Sequence, residues 1–178
     1  MDHIFIDVGL DREEITAIAL VRTSSTGEVL ATYNEEVRTK DKRELAAMEV
    51  VWAYAMEEIL KPAYSDRYVI VAAHAENDRK HLHSALKKEP FGKHRWLDLL
   101  TLAWPLCYNE HISDTGLPAI CRYFDIPYEA DGSILRDCEA CVRCYFAIMK
   151  KYKIALYGES VAKDLGGKGY EFLLRLIR

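Results

Sequence analysis

Along this chain the apolar positions first run in strand-length blocks and later recur at helical spacing. His3-Ile4-Phe5-Ile6-Asp7-Val8 opens it, an apolar, β-branched block that reads as a buried strand. Gly9-Leu10-Asp11 follows at once as a short turn, and Glu14 to Val21 reads as a second strand. The polar link Thr23-Ser24-Ser25-Thr26-Gly27 leads into a third, Glu28 to Tyr33. Links this short imply antiparallel hairpins, so the chain is expected to open as a three-stranded meander.

Beyond the charged connector Arg38 to Arg43 the period changes. Glu44 to Leu60 carries Ala47, Val50, Val51, Tyr54 and Ile59 near helical spacing, and Pro62 stops it. Tyr68 to Ala73 is a continuous apolar run of strand length. Glu76 to Lys88 then reads as a helix with Leu82 and Leu86 inward, and Arg95 to Leu99 as a short strand. A helical stretch follows, then a helix over Leu117 to Phe124. The longest helix is expected from Ile134 to Tyr152, with Leu135, Cys138, Val142, Tyr145, Phe146 and Met149 along one side. A hairpin meander followed by strands alternating with helices describes a mixed α/β domain. We place that domain at residues 1–153 and treat 154–178 as a C-terminal helical extension. The extension breaks at Gly166-Gly167 and ends in Tyr170 to Ile177, too apolar to hang in water. It is expected to pack back on the domain or against a partner, a protein or a second copy in a homodimer.

Composition narrows the field. At 178 residues and 50% hydrophobic content the chain can bury one sizeable core. A net charge of −4 gives no support to a broad basic nucleic-acid footprint, although a local patch remains open. No apolar run reaches the length of a membrane span and no signal-peptide pattern opens the chain. Five cysteines, an odd number with three bunched together, do not make a secreted disulfide framework, so a reduced, cytoplasmic protein is expected.

The chemistry sits in three aspartates. Asp7 closes a buried strand, where a carboxylate is costly unless it is paired, hydrogen-bonded or bound to a metal. Asp78 falls early in a helix and Asp137 in the longest helix. Taken singly, each has an ordinary reading: a turn former, an acid favoured by the helix dipole, a solvated helix position. Cys138, Cys141 and Cys144 lie three apart, which suits small packing residues on one helix side better than an iron–sulfur motif, since the fourth Cys and the following Pro are absent. His81, His83, His94, Cys107 and His111 match no zinc-module spacing. The aromatics Trp52, Tyr54, Trp96, Trp104, Tyr108, Tyr123 and Tyr128 offer stacking surfaces for bases, but most fall within apolar runs and suit a core. Arg79, Lys80, Lys87, Lys88, Lys93 and Arg95 suit a phosphate path or a solvated helix face.

Taken in order, these blocks carry a resemblance. Phe5-Ile6-Asp7-Val8 with Gly9-Leu10-Asp11 resembles a family block Asp-x-Glu-Thr-Thr-Gly-Leu-Asp. Val71 to Leu82, with His74 and Asp78, is similar to that family's His-Asn-x-x-Phe-Asp block. Asp137-Cys138-Glu139-Ala140 resembles the late helix that carries its last metal-binding Asp. Trp96 to Ala103 and Gly116 to Pro127 resemble the segments in between. The family is the DnaQ-like, or DEDD, 3′→5′ exonucleases. The resemblance covers roughly residues 3–150 and implies a ribonuclease H-like mixed sheet with flanking helices. It also implies Asp7, Asp78 and Asp137 as ligands of Mg²⁺ or Mn²⁺, and His74 as a substrate contact. Single-stranded DNA or RNA ends would be the substrate. The chemistry implied is two-metal hydrolysis, in which ions about 4 Å apart stabilise the attacking and leaving oxygens of a phosphodiester.

The chain departs from that family at two of five positions. Either Glu-Thr-Thr is deleted before Gly9, or Gly9 stands where the metal-bridging Glu belongs. The family's His would fall at Gly132, and the Tyr of its other branch at Ser133. Glu13 or Glu14 across the turn, and Asp131 or Glu129 before the last block, are the candidate replacements. Two readings stay open at this point: an exonuclease with an altered site, or a silent domain of the same fold that binds nucleic acid or a protein.

Overall fold

The computed structural model describes residues 2–12, 14–36, 52–53, 68–92, 94–109 and 116–164. The helix expected over 44–60 lies outside them except at Trp52 and Ala53, which are helical, and the apolar segment 170–177 lies outside them altogether. Five strands form one sheet: β1 (Asp2–Asp11), β2 (Glu14–Thr23), β3 (Val29–Glu36), β4 (Tyr68–Ala72) and β5 (Trp96–Asp98). Their order across the sheet is β3-β2-β1-β4-β5, with the first three antiparallel and β4 and β5 added in parallel. Four helices are described: α1 (Ala75–Leu86), α2 (Leu99–Asn109), α3 (Leu117–Tyr123) and α4 (Ile134–Asp164). The expected meander followed by parallel strands is what forms.

β1 lies at the centre because both its faces are buried, which is why its sequence reads as a continuous apolar run rather than an alternation. Ile4, Ile6 and Val8 point to one face, where they meet Leu82 and Leu86 of α1 together with Trp52 and Phe91. Phe5 points to the other, into a core with Cys138, Cys141 and Tyr145 of α4. The sheet is therefore sandwiched between α1 on one side and α2, α3 and α4 on the other. At the start of β1, Asp2 accepts from the buried Arg22 guanidinium at 2.9 and 2.5 Å, a two-point contact that ties β1 to β2.

Two expectations need correction. Gly9, Leu10 and Asp11 do not turn the chain. They extend β1, and Asp11 pairs with Glu14, so the hairpin tip lies two residues later, with Arg12 at φ +61°. A bulge falls here: Gly9 opposes Ala17 and Leu10 opposes Ile15, so Thr16 is the extra residue. The longest helix does not end at Tyr152 but runs on to Asp164, straight through position 153/154. No Gly or Pro interrupts that stretch before Gly158, and the β-branched and aromatic residues that punctuate it do not break a helix already nucleated and packed. Among the described residues no helix is long and apolar enough to cross a membrane.

Candidate active site

The site is built around the middle of β1, just past its last pairing with β4, where its two faces meet different helices. Asp7 follows Phe5 on the α4 face and is half-buried. Asp137 stands in the first turn of α4, whose start is organised locally. The Ser133 hydroxyl accepts from the Arg136 N–H at 3.5 Å, the Asp131 carboxylate accepts from the Ser133 N–H at 3.1 Å, and Arg136 pairs with Asp131 at 2.5 Å. Asp78 lies in the first turn of α1 and is only 4% exposed. Three elements thus bring three carboxylates to one end of the sheet.

Their electrostatics record the meeting. Burial pushes the Asp7 carboxyl up to about 6, with the Asp137 charge adding to the effect. Asp78 is pushed up to about 8 by burial first, then by Asp7, with Asp98 a further like charge. The Val8 backbone N–H lies against both carboxyls and opposes these shifts. Among the described residues, no Lys or Arg forms an ion pair with any of the three. Asp78 is buried and Asp7 and Asp137 are half-buried, so among the described residues these like charges sit close together with no cationic side chain paired to them. As they stand they do not close into a ligand shell: among the described residues no group of three or more Asp, Glu, His or Cys side chains is gathered tightly enough to hold a metal.

The candidate replacements fall elsewhere. Glu14 is exposed at the hairpin tip, paired with Asp11, whereas Asp7 pairs with Ala19. Five positions along a strand is roughly 16 Å, so Glu14 belongs to another part of the molecule. Glu13 lies outside the described residues. Asp131 and Glu129 both turn toward Arg136, at 2.5 and 3.8 Å. Gly132, in place of the His, has φ +80°, a backbone conformation that side-chain-bearing residues rarely adopt. His74 caps α1 through its backbone carbonyl, which accepts from Asn77 and Asp78, while its exposed side chain makes no capping bond.

Three residues enter that sequence reasoning passed over or weighed differently. The Tyr128 hydroxyl donates to Asp137 Oδ1 at 2.7 Å while its ring packs against the α4 core, so this aromatic serves the carboxylate as well as the core. Nine residues and an irregular turn separate the two, and no periodicity signals the contact. Asp98 accepts from the Thr101 N–H at 2.7 Å and from the Ala75 N–H at 2.9 Å, capping α2 and anchoring the start of α1 with one carboxylate. An Asp three residues before a Thr at a strand-to-helix junction is a readable cap signal. Ile134, one turn before Asp137, sits over Gly9: a Cβ there would lie 3.2 Å from Ile134 Cγ2 and 3.3 Å from Ala17 Cβ.

The remaining clusters belong to packing. Cys138, Cys141 and Cys144 are fully buried in the α4 core, and Cys144 Sγ lies 3.4 Å from Cys121 Sγ. His94 stacks on Tyr68 at 3.7 Å, and Arg79 pairs with Glu89 at 2.6 Å. Trp52 packs on Phe91, whereas Trp104 is 52% exposed on α2.

By sequence the chain matches no protein-family model and no curated protein. Its backbone, however, is similar to the nuclease domain of 3'hExo, a DEDDh family member solved bound to rAMP. The TM-score is 0.63 at 14% identity, over 84% of this chain and 92% of that one. The fold is ribonuclease H-like, a mixed five-stranded sheet with flanking helices. The RNase domain of the yeast Pop2 protein is also similar, with TM-score 0.55 and 11% identity over 85% of this chain and 78% of that one. So is the metal-free form of an E. coli ExoI–ssDNA complex, with TM-score 0.50 and 13% identity over 88% of this chain. The chain spans 40% of that last protein. In this fold Asp7 stands midway along the central strand, just past its last pairing with β4, and Asp78 and Asp137 stand in the first turns of α1 and α4.

Proposed function

We propose that this chain is a 3′→5′ exonuclease that acts on single-stranded DNA or RNA ends, with Asp7, Asp78 and Asp137 as the ligands of Mg²⁺ or Mn²⁺. The observation that carries the reading is the convergence of three carboxylates with which, among the described residues, no Lys or Arg forms an ion pair. A folded domain gains nothing in stability from such a cluster, because each carboxylate carries its own desolvation penalty and repels its neighbours as well. A divalent ion held there would stabilise charge on phosphate oxygens and make a bound water acidic.

The chain's own groups would do the rest. The Val8 N–H steadies Asp7 and Asp78, and the Tyr128 hydroxyl holds Asp137. Asp98 fixes the start of α1, and so the position of Asp78, relative to β5. Burial and the Asp7 charge push the Asp78 carboxyl up, so a cation held there would compete with a proton. His74, exposed at the start of α1, is placed to meet a nucleotide. Among the described residues no general base stands in for the absent His, and this observation favours the second reading, a silent domain of the same fold that binds nucleic acid or a protein.

Degradation of 3′-labelled single-stranded DNA and RNA with Mg²⁺ or Mn²⁺, beside Asp7→Ala, separates the two. Metal-dependent loss of label that disappears in Asp7→Ala is the expected outcome. No loss, or loss that survives the substitution, would leave binding as the function.

A further inference from the structure

All five cysteines are free thiols, and all are buried. Cys138, Cys141 and Cys144 ride α4 three residues apart, where neighbouring Cβ atoms lie about 5–6 Å from each other. A disulfide needs about 3.8 Å, so these three do not pair among themselves. Across the contact between α3 and α4 the geometry differs. Cys121 Sγ, in the last turn of α3, lies 3.4 Å from Cys144 Sγ, and the two thiols share a hydrogen bond. That bond pulls the Cys121 thiol below its ordinary value against the effect of burial, and the Arg143 and Arg122 charges add to the pull. The same bond, with burial, pushes Cys144 up. Cys121 is therefore the sulfur that gives up its proton and Cys144 the one that keeps it. Packing alone asks only for two small side chains here, not for a shared proton. Arg122 and Arg143, next in the chain to each cysteine, are both exposed, so the pair lies one layer below the surface.

We propose that Cys121 and Cys144 are a redox pair, which a peroxide converts into a disulfide fastening α3 to α4. The Cys121 thiolate attacks one peroxide oxygen: an S–O bond forms, the O–O bond breaks, and the departing hydroxide takes up the proton that Cys121 gave away. The Cys144 sulfur, already in contact, then attacks the Cys121 sulfenic acid. The S–S bond forms, the S–O bond breaks, and the Cys144 proton leaves with the second water. The two thiols lose two electrons and the peroxide gains them. Closing the gap from 3.4 Å to a bonded distance of about 2.0 Å moves each sulfur by less than about 1 Å. The bond fastens more than two helices. The Cys121 carbonyl accepts from the Ile126 N–H at 2.9 Å, in the turn that leads to Tyr128, the donor to Asp137. Oxidation thus ties down both ends of the segment that reaches the carboxylate cluster, and the pair stands independently of the nuclease reading.

Treating the full native chain with a slight excess of hydrogen peroxide, and mapping its cysteines by mass spectrometry, tests this. The expected product is lighter by about 2 Da and yields one linked peptide, Cys121 to Cys144, which a dithiol reductant reopens. Because the bond closes a loop across a native contact, the oxidised chain is expected to melt roughly 5–10 °C higher than the reduced one. In Cys144→Ala the mass loss is expected to disappear, with Cys121 gaining oxygen instead, whereas Cys107→Ala keeps the linked peptide. A link between any other two cysteines, or between separate chains, would overturn the pair. So would five thiols that survive until urea unfolds the chain, or a disulfide that lowers the melting point. Mapping on the native chain needs no variant, so the test decides whether or not Cys144→Ala folds.

Discussion

The two faces of β1 make opposite use of the same strand. On the α1 side, Ile4, Ile6 and Val8 are all buried against apolar partners, and the face is uniform from end to end. On the α4 side the face changes character within seven residues, from His3 and Phe5 in an aromatic cluster with Tyr145 and Phe146, through Asp7, to Gly9 under Ile134. The first face gains stability from every residue it buries. The second gives stability up at Asp7 by crowding it with Asp137 and Asp78. One strand therefore packs apolar residues on both faces and gathers charge on the α4 face at Asp7.

Substitutions in the apolar face and in the carboxylate cluster should differ in sign. Ile6→Ala on the uniform face, at a fully buried position, is expected to destabilise by about 2–5 kcal/mol, read as a lower midpoint in urea. A loss under 1 kcal/mol would mean that the core around it relaxes, and would erase the contrast.

Asp78→Asn should go the other way, and only at high pH. Because the folded-state carboxyl values of Asp7 and Asp78 are raised to about 6 and about 8, the folded state holds these protons more tightly than the unfolded chain, whose aspartates titrate near about 3.9. Metal-free stability is therefore full below pH 4 and falls as pH rises to 8. The variant is expected to melt roughly 5 °C higher than the native chain at pH 8, and at the same temperature at pH 4. A gap that is constant across pH would remove charge crowding as the cause.

Tyr128→Phe removes one donor to Asp137 and little else. Groups that orient a metal ligand typically contribute about tenfold or more to affinity, so Mn²⁺ binding is expected to weaken by about tenfold while the fold persists. Equal affinity in the two proteins would make the contact a packing detail. The smallest effect is expected at Gly9→Ala. The added methyl must displace Ile134 or Ala17 by a few tenths of an ångström, at a cost of about 1 kcal/mol in thermal stability. An unchanged melting point would show that the contact over Gly9 gives way easily.

Much of this was legible in the residues alone. Strand-length apolar blocks with short polar links specify a meander because side-chain direction alternates along a strand and turns need particular residues. Leu82 and Leu86 in α1, and the Cys138-Cys141-Cys144 stripe of α4, announce buried helix faces by their spacing. The order of Asp7, Asp78 and Asp137 was enough to suggest an exonuclease-type fold, because local pattern determines which element each one rides on. What local pattern does not carry is which elements meet. That β1 runs on to Asp11, carrying Glu14 away from the site, followed from pairing and a bulge between β1 and β2. That Tyr128 holds Asp137, that Asp98 anchors two helices, and that Ile134 fills the space over Gly9 followed from the docking of α4 and α1 on the sheet. Such contacts join residues separated by irregular turns or by most of the chain. Periodicity cannot encode them, because they depend on how whole elements are placed and not on the repeat within any one of them.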